Sequence, residues 1–139
     1  MIIANLVITS MLTCLIWIIQ ILHYPSFKFV RESSFTSFEA FHTKSISLIV
    51  MPLMIAELLT ISLLILKNPQ SLILISSLVM VVLIWLSTFY FSIPCHNILS
   101  QKHDIQTIEK LIMTNWPRTI LWSSKFILAI CLTKGVIYE

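Results

Sequence analysis

Residues 45–93 read SISLIVMPLMIAELLTISLLILKNPQSLILISSLVMVVLIWLSTFYFSI. Two apolar runs, Ser45–Leu66 and Leu72–Ile93, flank the polar tetrapeptide Lys67-Asn68-Pro69-Gln70. Each run has the roughly 20 residues that a helix needs to cross a bilayer core. A four-residue connection with a proline is so short that the two runs must fold back on each other as a helical hairpin. Two further runs of that length lie outside the hairpin, Ile2–Leu22 and Arg118–Ile137. The predicted fold is therefore all-α, an integral membrane four-helix bundle forming a single four-span domain over residues 1–139. The first run has no basic residue before it and no small-x-small cleavage site after it, so it reads as a retained helix and not as a leader.

Composition agrees with that reading. Of 139 residues, 58% are apolar and 11% charged, with a single glycine, Gly135, and the mean hydropathy is +0.95. A soluble domain this small has too much surface for its volume to hide so much apolar material. Soluble enzymes, nucleic-acid binders and disordered chains are excluded, and the bilayer is the expected partner. Cys14, Cys95 and Cys131 form no CxxC pair and, being odd in number, no disulfide framework. One glycine cannot build a phosphate-binding loop, and neither GxSxG nor HExxH is present.

The other two connections read as longer. Residues 26–44 carry Phe27, Val30, Phe35, Phe38 and Phe41 with charges between them, and residues 98–115 carry Ile105, Ile108, Leu111 and Ile112 behind Asp104, a good helix N-cap. That periodicity predicts two interfacial amphipathic helical segments on one side of the membrane. On that side stand Lys28, Arg31, Lys44, Lys102, Lys110 and Arg118, against Lys67 and Lys134 on the other. Six cations against two put the long connections in the cytoplasm and both termini outside, in the orientation expected of a multi-pass protein of a bacterial inner membrane. The net charge of +3 is thereby a topology signal.

A charge at mid-bilayer costs about 2.5–3.5 kcal/mol on insertion scales, so Glu57 in the second run and Lys125 in the fourth require a reason. Their depths, about 18 Å from Ser45 and about 10 Å from Arg118 at the helical rise, differ by less than the two side chains can reach. An ion pair is expected, either as a lock between helices or as part of a functional core; the other course open to Lys125 is to snorkel to the headgroups. Helical spacing aligns Thr13, Trp17, Gln20 and Tyr24 in the first run, Trp85, Thr88, Ser92 and His96 in the third, and Asn115, Arg118, Trp122 and Lys125 in the fourth. Four such stripes facing inward would make a polar core. Small hydroxyl residues used for packing and an interfacial aromatic belt explain Ser92 and Tyr24 equally well, but not Gln20, Glu57 or Lys125.

Sidedness gathers one group of these residues. His23 ends the first run, Glu39 and His42 precede the second, His96 ends the third, and Asn115 and Arg118 open the fourth. All stand at one depth on the long-connection side. His23, His42, His96 and Glu39 suffice as ligands for a transition metal, two histidines would suffice for a haem, and the same residues with Arg118 can instead handle protons or an anionic group. Histidines at helix ends also commonly sit among headgroups, so all three readings stay open. Glu39-x-x-His42 has the spacing used in carboxylate-bridged di-iron bundles, without its second copy. The candidate catalytic set is His23, Glu39, His42, His96 and Arg118; Gln20, Glu57, Trp85, Asn97, Asn115, Trp122 and Lys125 are candidates for contact with a bound cofactor or substrate. His103 is expected to be solvated and outside the cluster. Pro25, Pro94 and Pro117 limit or kink helices beside His23, His96 and Arg118, and Pro52 interrupts the second run before Glu57.

His23-Tyr24-Pro25, Ile93-Pro94-Cys95-His96-Asn97 and the Asn115-Trp116 to Arg118 segment together resemble small uncharacterised bacterial four-helix membrane proteins, and more distantly the anthrone-oxygenase-like family. That family has a VPxN element after its third span, where His96 and Asn97 stand here, and a Trp/Arg-rich start to its fourth. The resemblance covers the layout of most of the chain and implies a four-helix membrane bundle and, in some members, oxidation of aromatic polyketides. The functional expectation is a metal- or haem-dependent oxidoreductase acting on a lipophilic molecule at the cytoplasmic interface. The alternatives are an oligomeric binding or ion- and proton-coupled transport module, and a structural subunit of a larger membrane complex.

Overall fold

The computed structural model describes the backbone of residues 1–137 and the side chains of residues 1–134. Four long helical rods make up the molecule: α1 (Ile2–Phe29), α2 (Glu32–Lys67), α3 (Leu72–Leu99) and α4 (Ile105–Ile137). Among the described residues there is no strand. The chain runs up and down, and neighbours in sequence pack side by side, with α4 also closing against α1. Among the described residues, α1, α2 and α3 are long and apolar enough to cross a membrane. The fourth predicted run lies in α4, where Arg118, Lys125 and Lys134 interrupt the apolar sequence.

The Lys67–Gln70 hairpin turn is as expected, with Asn68 N–H bonded back to the carbonyls of Leu64 and Ile65. The other two connections differ from the sequence reading. Only Val30 and Arg31 separate α1 from α2, and only residues 100–104 separate α3 from α4. The segments read as separate amphipathic helices are divided between rods: residues 26–29 and 98–99 end α1 and α3, and from Glu32 and Ile105 onward they are the start of α2 and α4, continuous with the apolar parts that follow. α2 alone has 36 residues, about 54 Å of helix at the standard rise. Local periodicity cannot tell a separate helix from the start of a longer one; the apolar faces decide. Phe35, Ile108 and Leu111 bury themselves against Ile19, Tyr24, Phe27, Cys95 and Leu99, which docks both extensions on the bundle.

Asp104 caps α4 as its sequence suggests. Its carboxylate accepts from the N–H of Thr107 at 3.1 Å and from the Thr107 hydroxyl. That hydroxyl, chiefly, with the backbone bond and Lys102 assisting, holds the Asp104 carboxyl below the usual carboxylate range.

Two wide turns repeat one local pattern. At Ile19–His23 the N–H of Tyr24 reaches back five residues to Ile19, and at Thr88–Ser92 the N–H of Ile93 reaches back to Thr88. In each case proline follows at once, Pro25 or Pro94. A proline ring crowds the carbonyl four residues earlier, and a widened turn relieves that contact. Pro52 and Pro117 lie inside α2 and α4 without interrupting either α-helix.

The distribution of polarity is inverted relative to a soluble protein. Asn5, Thr9, Gln20, Glu39, Glu57, Asn115, Arg118, Thr119 and Lys125 are buried, while Ile3, Leu22, Leu48, Leu66, Leu72 and Ile127 are exposed on the outside.

Candidate functional site

The buried polar residues form three layers along the bundle. The layer nearest the Val30–Arg31 connection holds the predicted histidines. His23 Nε2 and His42 Nδ1 share a hydrogen bond at 2.6 Å, and His96 Nδ1 donates to Glu39 Oε1 at 2.5 Å. The other nitrogen of His96 then accepts from the hydroxyl of Tyr24 at 3.2 Å. The rings of His42 and His96 lie 5.5 Å apart. Phe27 and Phe38 pack against His23, and Phe27 also against His42. The three histidines thus form one cluster. His103 lies outside it but is not simply solvated: its ring lies 4.4 Å from that of Phe35.

The cluster does not have the form of a metal centre. Two imidazole nitrogens bound to one zinc at about 2.0–2.1 Å would stand well over 3 Å apart. Here His23 and His42 face each other at hydrogen-bond distance, and His96 is engaged by Glu39 and Tyr24. Among the described residues no three His, Cys, Asp or Glu side chains are placed to hold a metal ion. Within this cluster two polar atoms are left buried without a partner, Glu39 Oε2 and His42 Nε2.

The middle layer is Gln20, Asn115, Arg118, Thr119 and Thr88. Asn115 donates to Gln20 Oε1 at 2.7 Å, and Gln20 donates to the carbonyl of Ile112 at 3.2 Å. Arg118 donates through one terminal nitrogen to Asn115 Oδ1 and through the other to Thr88 at 3.4 Å. The third layer is the expected ion pair. Lys125 Nζ lies 3.0 Å from Glu57 Oε1, and both side chains are sealed from solvent. Thr9 and the indole N–H of Trp122 donate to Glu57, each at 3.0 Å, while Lys125 donates to Thr9 at 2.6 Å and to Asn5 at 3.3 Å. Asn5 in turn donates to Thr60. α2 and α4 stand diagonally, so the pair closes across the bundle axis.

A cavity of about 320 Å³ opens beside the first two layers. Its apolar wall includes Leu12, Ile16, Ile19, Ile46, Val50 and Met54, its floor is Trp122, and its polar residues are Tyr24, Thr43, Ser47, Thr88, Ser92, His96, Asn97, Ser100 and Arg118. The lining residues on α1 and α4 are buried or half-buried; the exposed ones are Ser47 and Met51 on α2, Ile93 and Asn97 on α3, and Ser100 just after α3. The mouth therefore lies between α2 and α3, on the side of the bundle.

Of the residues predicted to contact a cofactor or substrate, Asn97 and Trp122 line this cavity, while Asn115 and Gln20 lie outside the lining and orient Arg118, which is part of it. Glu57 and Lys125 lie behind Trp122, outside the lining. Trp85 is outside it too, packed in the core around Ile61, Leu74 and Val81 with its indole N–H unpartnered. Trp17, aligned by spacing with Gln20, is exposed on the bundle edge, bonded to Ser123 and edge-on to Trp116. Sequence reasoning placed Tyr24 on the stripe of the first run, with an interfacial belt as the other explanation, and left out Asn5 and Thr9. Their signal was present: Asn5, Thr9 and Thr13 recur every four residues, as do Gln20 and Tyr24.

No protein-family model, curated protein or solved structure matches the chain.

Proposed function

We propose that the chain is a multi-pass integral membrane protein that takes a lipophilic small molecule from the bilayer into the cavity between its helices and exchanges a proton with it through His96. The observation that carries this reading is the side-opening cavity, whose wall is apolar and whose polar end presents a histidine backed by a carboxylate. The membrane setting is supported by the inverted polarity, since an apolar exterior around a polar interior is costly in water and favoured in lipid. The cationic residues Lys28, Arg31, Lys44, Lys102 and Lys110 at the Val30–Arg31 end favour a cytoplasmic location for that end, with the Lys67–Gln70 turn outside. Every rod is longer than the roughly 20 residues of a minimal span, so the histidine layer stands near the interface.

The chemistry follows from the hydrogen bonds. Glu39 fixes His96 with Nδ1 protonated, which leaves Nε2 as the basic atom facing Tyr24 and the cavity. The paired donors do not fit the metal- or haem-dependent reading, and no redox step is derived from them. The Glu57–Lys125 layer, satisfied on all sides and cut off from the cavity by Trp122, serves to align α1, α2 and α4.

A neutral lipophilic fluorophore titrated onto purified protein in neutral detergent tests the proposal. Saturable binding is expected, weakened at least tenfold by Ser47→Trp or Asn97→Trp at the mouth. Binding that neither substitution alters would end the cavity reading.

A further inference from the structure

We infer that the molecule held in the cavity carries an anionic group, a carboxylate or a phosphate, on its apolar body, and that Arg118 is the residue that binds it. The inference rests on the cavity being a binding site and specifies what it binds.

The contacts of the carboxylates are the first ground. Glu57 meets Lys125 at 3.0 Å, and Glu39 is turned to His96. Arg118 has no such partner: among the described residues no carboxylate oxygen lies within 4.0 Å of its guanidinium, and no Asp or Glu lines the cavity. Yet Arg118 is only 6% exposed. A guanidinium does not lose its proton in proteins, so the layer keeps a buried positive charge that only neutral amide and hydroxyl oxygens meet. Leaving a buried charge uncompensated is strongly unfavourable, and a counter-ion removes that penalty.

Donor geometry is the second ground. Two of the guanidinium's five N–H groups are used, on Thr88 and Asn115, and Nε is buried with no partner. Asn115 is itself tied to Gln20, so the group is held at a fixed orientation with donors to spare. A planar fork of free N–H groups suits the paired oxygens of a carboxylate or phosphate. The same cavity is lined by Leu12, Ile16, Met54 and Trp122, which would contact an apolar chain or ring system.

The test is calorimetric titration at pH 8 in neutral detergent with dodecanoate, dodecyl phosphate and dodecanol, whose chains are alike and whose heads differ. Wild-type protein is expected to bind at least one anion ten times or more tighter than the alcohol, and the tighter anion tells a carboxylate ligand from a phosphate one. Arg118→Gln should bind all three alike, whereas Arg118→Lys should keep part of the preference. Equal affinity for alcohol and anions in the wild type, a comparison that needs no variant to fold, would overturn the inference, as would a preference that survives Arg118→Gln. Fluorophore binding without anion binding would sink this inference alone. Binding of neither would remove the cavity reading with it.

Discussion

Single side chains at this protein's core act in pairs, and the pairs set what substitutions do. Glu57 and Lys125 are 3.0 Å apart and sealed. Removing one partner strands the other charge, at about 3–5 kcal/mol. Glu57→Gln and Lys125→Met should therefore each lower thermal stability in detergent strongly, and the double variant should lose clearly less than the sum of the two. Additive losses would mean that the residues act separately. The same logic applies to His96. Glu39→Leu leaves the Nδ1–H of His96 without its acceptor, a loss of about 1–3 kcal/mol, while Glu39→Gln keeps an accepting oxygen and should cost less. Melting curves of the two variants should fall in that order; the reverse order would mean that the carboxylate is not what orients the ring.

At the scale of elements, the extensions of α2 and α4 are the feature to test. Phe35 is buried in the cluster that joins them to α1 and α3, while Phe41 on the same helix is 71% exposed. Phe35→Ala should cost about 3–5 kcal/mol, and Phe41→Ala close to nothing in detergent. Similar effects from both would indicate a segment lying on the membrane surface. The start of α4 also has a pH signature. The Asp104 carboxyl is held below its ordinary value by Thr107, so its capping contribution is fully present above the unfolded-state pKa of about 3.9 and is lost as pH falls through the lower folded value. Amide protection in the first turn of α4 should drop over that acid range, and Asp104→Ala should abolish the pH dependence. Both wide turns, each immediately before an X-Pro pair, belong to this scale as well: they set the rotation at which Tyr24 and His96 enter the cavity end.

For the whole molecule, the proposed four crossings with the cationic end inward predict that a reporter inserted in residues 100–104 is cytoplasmic and one inserted in the Lys67–Gln70 turn is external. A reporter pattern of the opposite sense would reverse the orientation while leaving the number of crossings intact. On the proposed function, side-on access to the cavity predicts that a ligand partitions from the membrane, so apparent affinity should follow the amount of lipid or detergent present and not the aqueous concentration alone.

The amino-acid sequence by itself determined the helical class, the four apolar runs, the Lys67–Gln70 hairpin and the inward stripe of Asn115, Arg118, Trp122 and Lys125. These follow from hydropathy and from the 3.6-residue period, which are local properties. It also pointed to the grouping of His23, Glu39, His42 and His96, because alternate crossings bring alternate helix ends together. Only the tertiary structure decided that the amphipathic segments continue into α2 and α4, since an apolar face does not say what will cover it. It decided that Trp17 and Trp85 lie away from the cavity, because a helical stripe is a broad face and only the packing of the neighbouring helices decides which part of it lines the cavity. And it decided which polar groups meet: Glu57 meets Lys125 and Glu39 meets His96, leaving Arg118 without a carboxylate. Pairing depends on distances of a few ångströms between helices far apart in the chain, and sequence spacing carries no such information.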